Sequence, residues 1–154
     1  MDKEQLEQTI TTYADMIYRI ALHHVRNTTD AEDIFQEVCI ALMTRNPPRD
    51  TQHLKHWIIR TTINKCNSFH RLLWQKRENI EDYDYLASPQ QQKIMEEIYA
   101  LPKNYRNVIY LYYYENYTVA EIAEILKKNS NTINSHLQRA RKKLKDILTE
   151  EGEM

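Results

Sequence analysis

Apolar residues recur along the first third of the chain at helical spacing. Leu6, Ile10, Tyr13, Ile17 and Ile20 or Ala21, with Met16 beside them, fall on one face of a helix over residues 3–26. Thr29 and Glu32 have the spacing of a capping box. The helix they open runs through Ile34, Phe35, Val38 and Leu42 until the pair Pro47 and Pro48 stops it. Asp50 or Thr51 caps a third stretch, which carries Leu54, Trp57, Ile58 and Thr61 and continues to about Trp74. Three or four helices by residue 77 predict one small bundle. The periodicity lapses over residues 78–88, ENIEDYDYLAS, which read as an acidic linker reaching at most roughly 40 Å when stretched. Ser88 then caps, and Pro89 occupies the first turn of the next helix, where its fixed φ and missing donor are tolerated.

Beyond Pro102, the residues Tyr105, Val108, Ile109, Leu111 and Tyr112 predict a supporting helix ending near Asn116, with the tyrosine run at 112–114 turning its hydroxyls to solvent. Thr118 and Glu121 repeat the capping-box spacing and open the short helix TVAEIAEIL. Asn129 caps a longer helix in which Ile133, Leu137, Ala140, Leu144 and Ile147 recur at intervals of four, three, four and three. Two helices separated by so few residues predict a helix-turn-helix, whose second helix enters the DNA major groove. With Ile133, Leu137 and Ala140 inward, the opposite face shows Asn131, Asn134, Ser135, Gln138, Arg139 and Lys142. Amides and guanidinium groups there can donate and accept along base edges, while Lys127, Lys128, Arg141 and Lys143 suit phosphates. A plain helical hairpin with a charged exterior is the competing reading. Many such turns contain glycine, so Lys127 requires another turn geometry or tolerated strain.

Composition narrows the fold. The only glycine is Gly152, which argues against hairpins and bulges that need positive φ, and against phosphate-cradling glycine loops. The expected class is all-α, with two small helical domains at 1–77 and 89–154 joined by the acidic linker. A hydrophobic fraction of 42% is enough for a core, and no run is apolar enough to span a membrane. The start, MDKEQLEQTI, has no basic segment followed by an apolar one, so a cytoplasmic protein is expected.

The net charge of -1 conceals segregation. Residues 51–77 carry Lys55, Arg60, Lys65, Arg71, Lys76 and Arg77 without an acid, and residues 127–145 carry seven Lys and Arg, again without one. Ordinary surface helices mix both signs, so two acid-free blocks point to a polyanion touched at two places. If five of the last seven meet phosphates, log affinity should fall with log salt at a slope of roughly -4.5. The first block also interleaves Trp57, Phe69 and Trp74 with Asn64 and Asn67, the pairing of cationic track and stacking ring that holds single strands. Taken alone, Trp57 reads more simply as a core residue. Cys39 and Cys66 read as buried free thiols; His53 and His56 have a metal-compatible spacing with no third ligand nearby, so no metal or other cofactor is expected. No nucleophile stands with a base, so no catalytic residue is assigned.

Three blocks in order resemble the bacterial RNA polymerase sigma factors of the extracytoplasmic-function type. DAEDIFQEVCIALM at 30–43 resembles the family's core-binding helix, and HWIIRTTIN at 56–64 its promoter-melting segment. LPKNYRNVIYLYYYENYTVAEIAEIL with NTINSHLQRARKKL resembles its upstream-element reader. The resemblance implies a sigma factor that binds core RNA polymerase and directs promoter-specific initiation. Asp33, Gln36 and Glu37 would meet the clamp helices of the largest subunit. Asn64 would lie near a captured non-template base of the single-stranded minus-10 element, on the block that holds Lys65 and Arg71. Asn134, Ser135, Gln138 and Arg139 would contact the minus-35 duplex. An anti-sigma factor is a further partner class. The chain departs from the pattern at Ile58, where housekeeping members have a second tryptophan, at Lys127, at Lys128 and at Cys39. A stand-alone helix-turn-helix regulator would instead dimerise and bind duplex without polymerase, and a helical adaptor for acidic proteins would not bind nucleic acid.

Overall fold

The computed structural model describes residues 1–25, 27–76 and 101–152, with side chains described as far as Phe69 in the first stretch and through Asp146 in the last. Every regular element among them is helical and none is a strand, as an all-α chain requires. Two compact units result, Met1–Leu86 and Ala87–Met154. The expected linker at 78–88, the Ser88 cap and the Pro89 turn lie outside the described residues. Among those described, no helix is long and apolar enough to cross a membrane.

The first unit is a bundle of α1 (Lys3–His24), α2 (Thr28–Thr44) and α3 (Thr51–Lys76), each packed on the other two. Ile17, Ala21, Ile34, Val38, Leu42, Ile58 and Ile59 close its core. Each large aliphatic side chain so buried contributes about 1.5–3 kcal/mol. Tyr18 of α1 stacks on Phe35 of α2 with ring centroids 4.7 Å apart, and burial pushes its phenol pKa up, with the charges of Glu32 and Cys39 adding to this. Buried Thr62 satisfies its hydroxyl by donating to the Ile58 carbonyl at 2.7 Å. Neither cysteine is in a disulfide; Cys66 is buried as expected, whereas Cys39 is only half-buried.

The caps agree with the sequence except at α2. Asp50 caps α3, its Oδ2 accepting from the His53 backbone N–H at 3.2 Å. Helix α2 starts one residue before the expected Thr29, and its cap is Asn27, whose Oδ1 accepts from the Asp30 N–H at 2.7 Å. Asn27 has the extended backbone a cap requires, and its Nδ2 donates to Asp30 Oδ2 at 2.6 Å. Thr29, already in the first turn, is too late to cap.

The second unit contains α4 (Lys103–Ile109), a π-helical turn (Tyr110–Tyr114), α5 (Val119–Leu126) and α6 (Ser130–Gly152). Val108, Leu111, Ile122, Ile125, Ile133 and Leu137 form its core, and α6 packs on both α4 and α5. The supporting helix is therefore not regular to Asn116. It widens at Tyr110, where the carbonyl accepts from Glu115 N–H at 3.2 Å, and it stops at Asn116, which takes a φ of 60°. Asparagine enters the left-handed region more easily than most residues.

Candidate nucleic-acid interface

The turn between α5 and α6 is built from three local choices. Thr118 and Glu121 form the full capping box, with Thr118 Oγ1 accepting at 3.2 Å and Glu121 Oε1 accepting at 3.0 Å from each other's backbone N–H. Lys127 ends α5 in the left-handed conformation, at φ 53° and ψ 49°, and the following N–H of Lys128 donates to the Ala123 carbonyl at 2.9 Å. The glycine of other such turns is thus replaced by a lysine holding the same backbone geometry. Asn129 then caps α6, its Oδ1 accepting from Asn131 N–H at 2.7 Å.

This turn sets the face that α6 presents. Ile133, Leu137 and Ala140 are buried, while Asn131, Asn134, Ser135, Gln138, Arg139 and Lys142 are all exposed, as are Lys127 and Lys128. Spacings of three and four bring these side chains onto one side of the helix. His136 sits half-buried beside them, 5.4 Å from the Tyr105 ring. Burial lowers its pKa first, and the charges of Lys128 and Arg139 lower it further.

Two basic residues counted as phosphate contacts from composition are otherwise engaged. Arg141 Nε donates to Tyr113 Oη at 2.5 Å, and its guanidinium lies 5.2 Å from the Tyr112 ring centroid and 5.5 Å from that of Tyr113. Lys143 Nζ lies 5.8 Å from the Tyr105 centroid. The Tyr113 hydroxyl therefore accepts from an arginine rather than simply facing solvent.

In the first unit, α3 exposes Asn64 and half-buries Lys65, Asn67 and Phe69; the side chain of Arg71 lies outside the described residues. Trp57 is half-buried, between the core and platform readings. Across the groove on α2, Asp33, Gln36 and Glu37 are exposed and line one side with Ile40, while Lys65 and Phe69 line the other. Lys65 Nζ approaches Glu37 Oε2 at 3.5 Å, so the residue assigned to the strand and one assigned to polymerase are paired. Their sequence separation hides this contact from periodicity. His53 Nδ1 donates to Asp50 Oδ2 at 2.8 Å, and no group of three metal-ligating side chains occurs among the described residues. The backbone N–H of His53, followed by its ring, holds the Asp50 carboxyl below the usual range.

Sigma-70 region 2 matches residues 9–76, and Sigma-70, region 4 matches residues 91–144. The RNA polymerase sigma factor SigV of Bacillus subtilis is 30% identical over 97% of this chain and 94% of its own length. SigM of the same organism, an ECF RNA polymerase sigma factor, is 25% identical over 92% of this chain and 94% of its own. The fold is that of the sigma factor RpoE from Bartonella quintana, solved with the anti-sigma factor NepR, at a TM-score of 0.81 and 20% identity over 95% of this chain and 98% of that one. With both regions in order and a relative matched nearly end to end, the chain belongs to the extracytoplasmic-function RNA polymerase sigma factors, which bind core polymerase and direct promoter-specific transcription initiation.

Proposed function

We propose that α6 reads the minus-35 duplex and that the basic face of α3 holds the opened minus-10 strand. Asn131, Asn134, Ser135, Gln138 and Arg139 contact base edges, with Lys127, Lys128 and Lys142 on phosphates. Asn64, Lys65 and Arg71 receive the single strand, and Asp33, Gln36 and Glu37 dock on the clamp helices of the largest polymerase subunit. The functional domains are 1–77 and 89–154, with 78–88 as the tether. The observation that carries this reading is the complete exposure of the polar face of α6 opposite a fully buried Ile133, Leu137 and Ala140 stripe.

The chain contributes no catalytic group and works in the cytoplasm. Since RpoE is held by NepR, an anti-sigma factor is proposed as a further partner. The test is reconstitution: the chain, core polymerase and a genomic promoter library should give transcripts that vanish when the chain is omitted. Variants at Asn134 or Gln138 should shift preference at an upstream position, whereas unchanged preference in both would remove them from the reading face.

A further inference from the structure

We propose that Arg141 is a positioning residue that sets the roll of the DNA-reading helix, and is not one of its phosphate contacts. The proposal rests on the reading that α6 enters the duplex. Around the helix, at 3.6 residues per turn, Arg141 and Lys143 fall on opposite flanks of the buried stripe formed by Ile133, Leu137 and Ala140. Each flank is pinned to an aromatic ring of the supporting segment. On one side the Arg141 guanidinium meets Tyr112 and Tyr113, both within the roughly 6 Å range of a cation–π contact, and its Nε–H is spent on the Tyr113 hydroxyl. On the other, Lys143 and His136 meet Tyr105.

Tyr112 and Tyr113 can share one guanidinium because they lie in the π-helical turn, where rotation per residue is smaller than in an α-helix. Their rings stand edge to face, 5.0 Å apart at 75°, and form a corner. The planar group that fills it is better suited to stacking than an ammonium would be. Arg141 follows Asn134 by seven residues and Gln138 by three, on the flank nearest those two amides. Releasing it lets α6 roll about its buried stripe, which alters how deeply both amides reach.

The test uses holoenzyme reconstituted from core polymerase and the full chain, on the promoter duplex it selects from a random-sequence library. Arg141→Met should weaken binding by about 3- to 30-fold and reduce discrimination against scrambled upstream sequence. Its salt slope should match that of the wild type, whereas Lys142→Gln should lower the slope by about 0.9. Replacing Tyr112 and Tyr113 by Leu should reproduce the Arg141→Met loss, and the triple variant should lose no more. Tyr113→Phe, which keeps the ring and fold, should give a smaller loss.

A slope reduced by about 0.9 in Arg141→Met, with normal binding by the tyrosine variant, would make Arg141 a phosphate contact and overturn the proposal. A lowered melting temperature with unchanged affinity and discrimination would overturn it too, by showing a purely structural role. If Lys142→Gln and Asn134→Ala also left binding untouched, the assignment of α6 as reader would fail with it, a pattern the two controls make distinct.

Discussion

Lys127 stores a small, local cost. A left-handed backbone costs an L-residue with a Cβ about 1–2 kcal/mol, while glycine gives back part of that gain through its freer unfolded chain. Lys127→Gly should therefore stabilise the second unit by about 0.5–1 kcal/mol, read as a higher melting temperature; a decrease would show that the lysine side chain compensates for its backbone. The need for unusual geometry here was legible, because a two-helix motif this tight leaves few other turns. His136 is a second residue-scale test. Its pKa lies below the ordinary value of about 6.5, so the unfolded chain takes up a proton first as the medium is acidified. Its contribution is full above pH 6.5 and is lost as pH falls from there through the folded value. His136→Gln should flatten that part of the stability profile, measured by thermal melts across the range. An unchanged profile would assign the acid sensitivity to other groups.

At the scale of elements, periodicity recovered the helices because each buries a stripe, and stripes leave three- and four-residue spacings in sequence. Caps were recovered where one candidate stood alone, at Thr118 and Asn129, and of the two offered for α3, Asp50 or Thr51, the cap is Asp50. At α2 the spacing pointed to Thr29, whereas the backbone entering the helix makes Asn27 the acceptor. The π-helical turn left no readable signal, since five consecutive residues YLYYY carry no period that separates it from an α-helix. The contact of Arg141 with Tyr113 was missed for a related reason. Residue type marks a basic side chain as a phosphate ligand, and its actual partner lies 28 residues earlier. Its place on the flank of the buried stripe, rather than opposite it, was the available clue.

The Glu37–Lys65 pair between α2 and α3 belongs to this scale as well. An exposed ion pair is worth roughly 0–1 kcal/mol, so Glu37→Gln should raise the free chain's affinity for single-stranded oligonucleotide by at most about fivefold. Fluorescence anisotropy would show this, and an unaltered affinity would mean that Lys65 is not held back by Glu37.

For the whole molecule, the charge blocks matter more than the net charge of -1. Of the seven basic residues at 127–145, Arg141 and Lys143 lie on rings and Arg139 is proposed to meet base edges, so the three lysines proposed to meet phosphates, Lys127, Lys128 and Lys142, lower the expected salt slope to roughly -2.7 for the second unit's contacts. Between the basic blocks the sequence places Glu78, Glu81, Asp82 and Asp84. If residues 78–88 tether the two units as proposed, these carboxylates would compete with DNA for the same cations at a high local concentration. Converting all four to amides should therefore strengthen binding of the polymerase-free chain to duplex DNA several-fold at about 50 mM salt. The gain should fade by about 300 mM, where the Debye length is too short for the tether to act except in direct contact. Titrating both proteins against duplex across that salt range decides the matter: parallel curves would mean that the acids do not screen the basic faces. A gain surviving at high salt would point to contacts rather than to field. Curves that converge would make the tether an electrostatic brake on promoter-independent binding, released when the chain is drawn onto polymerase.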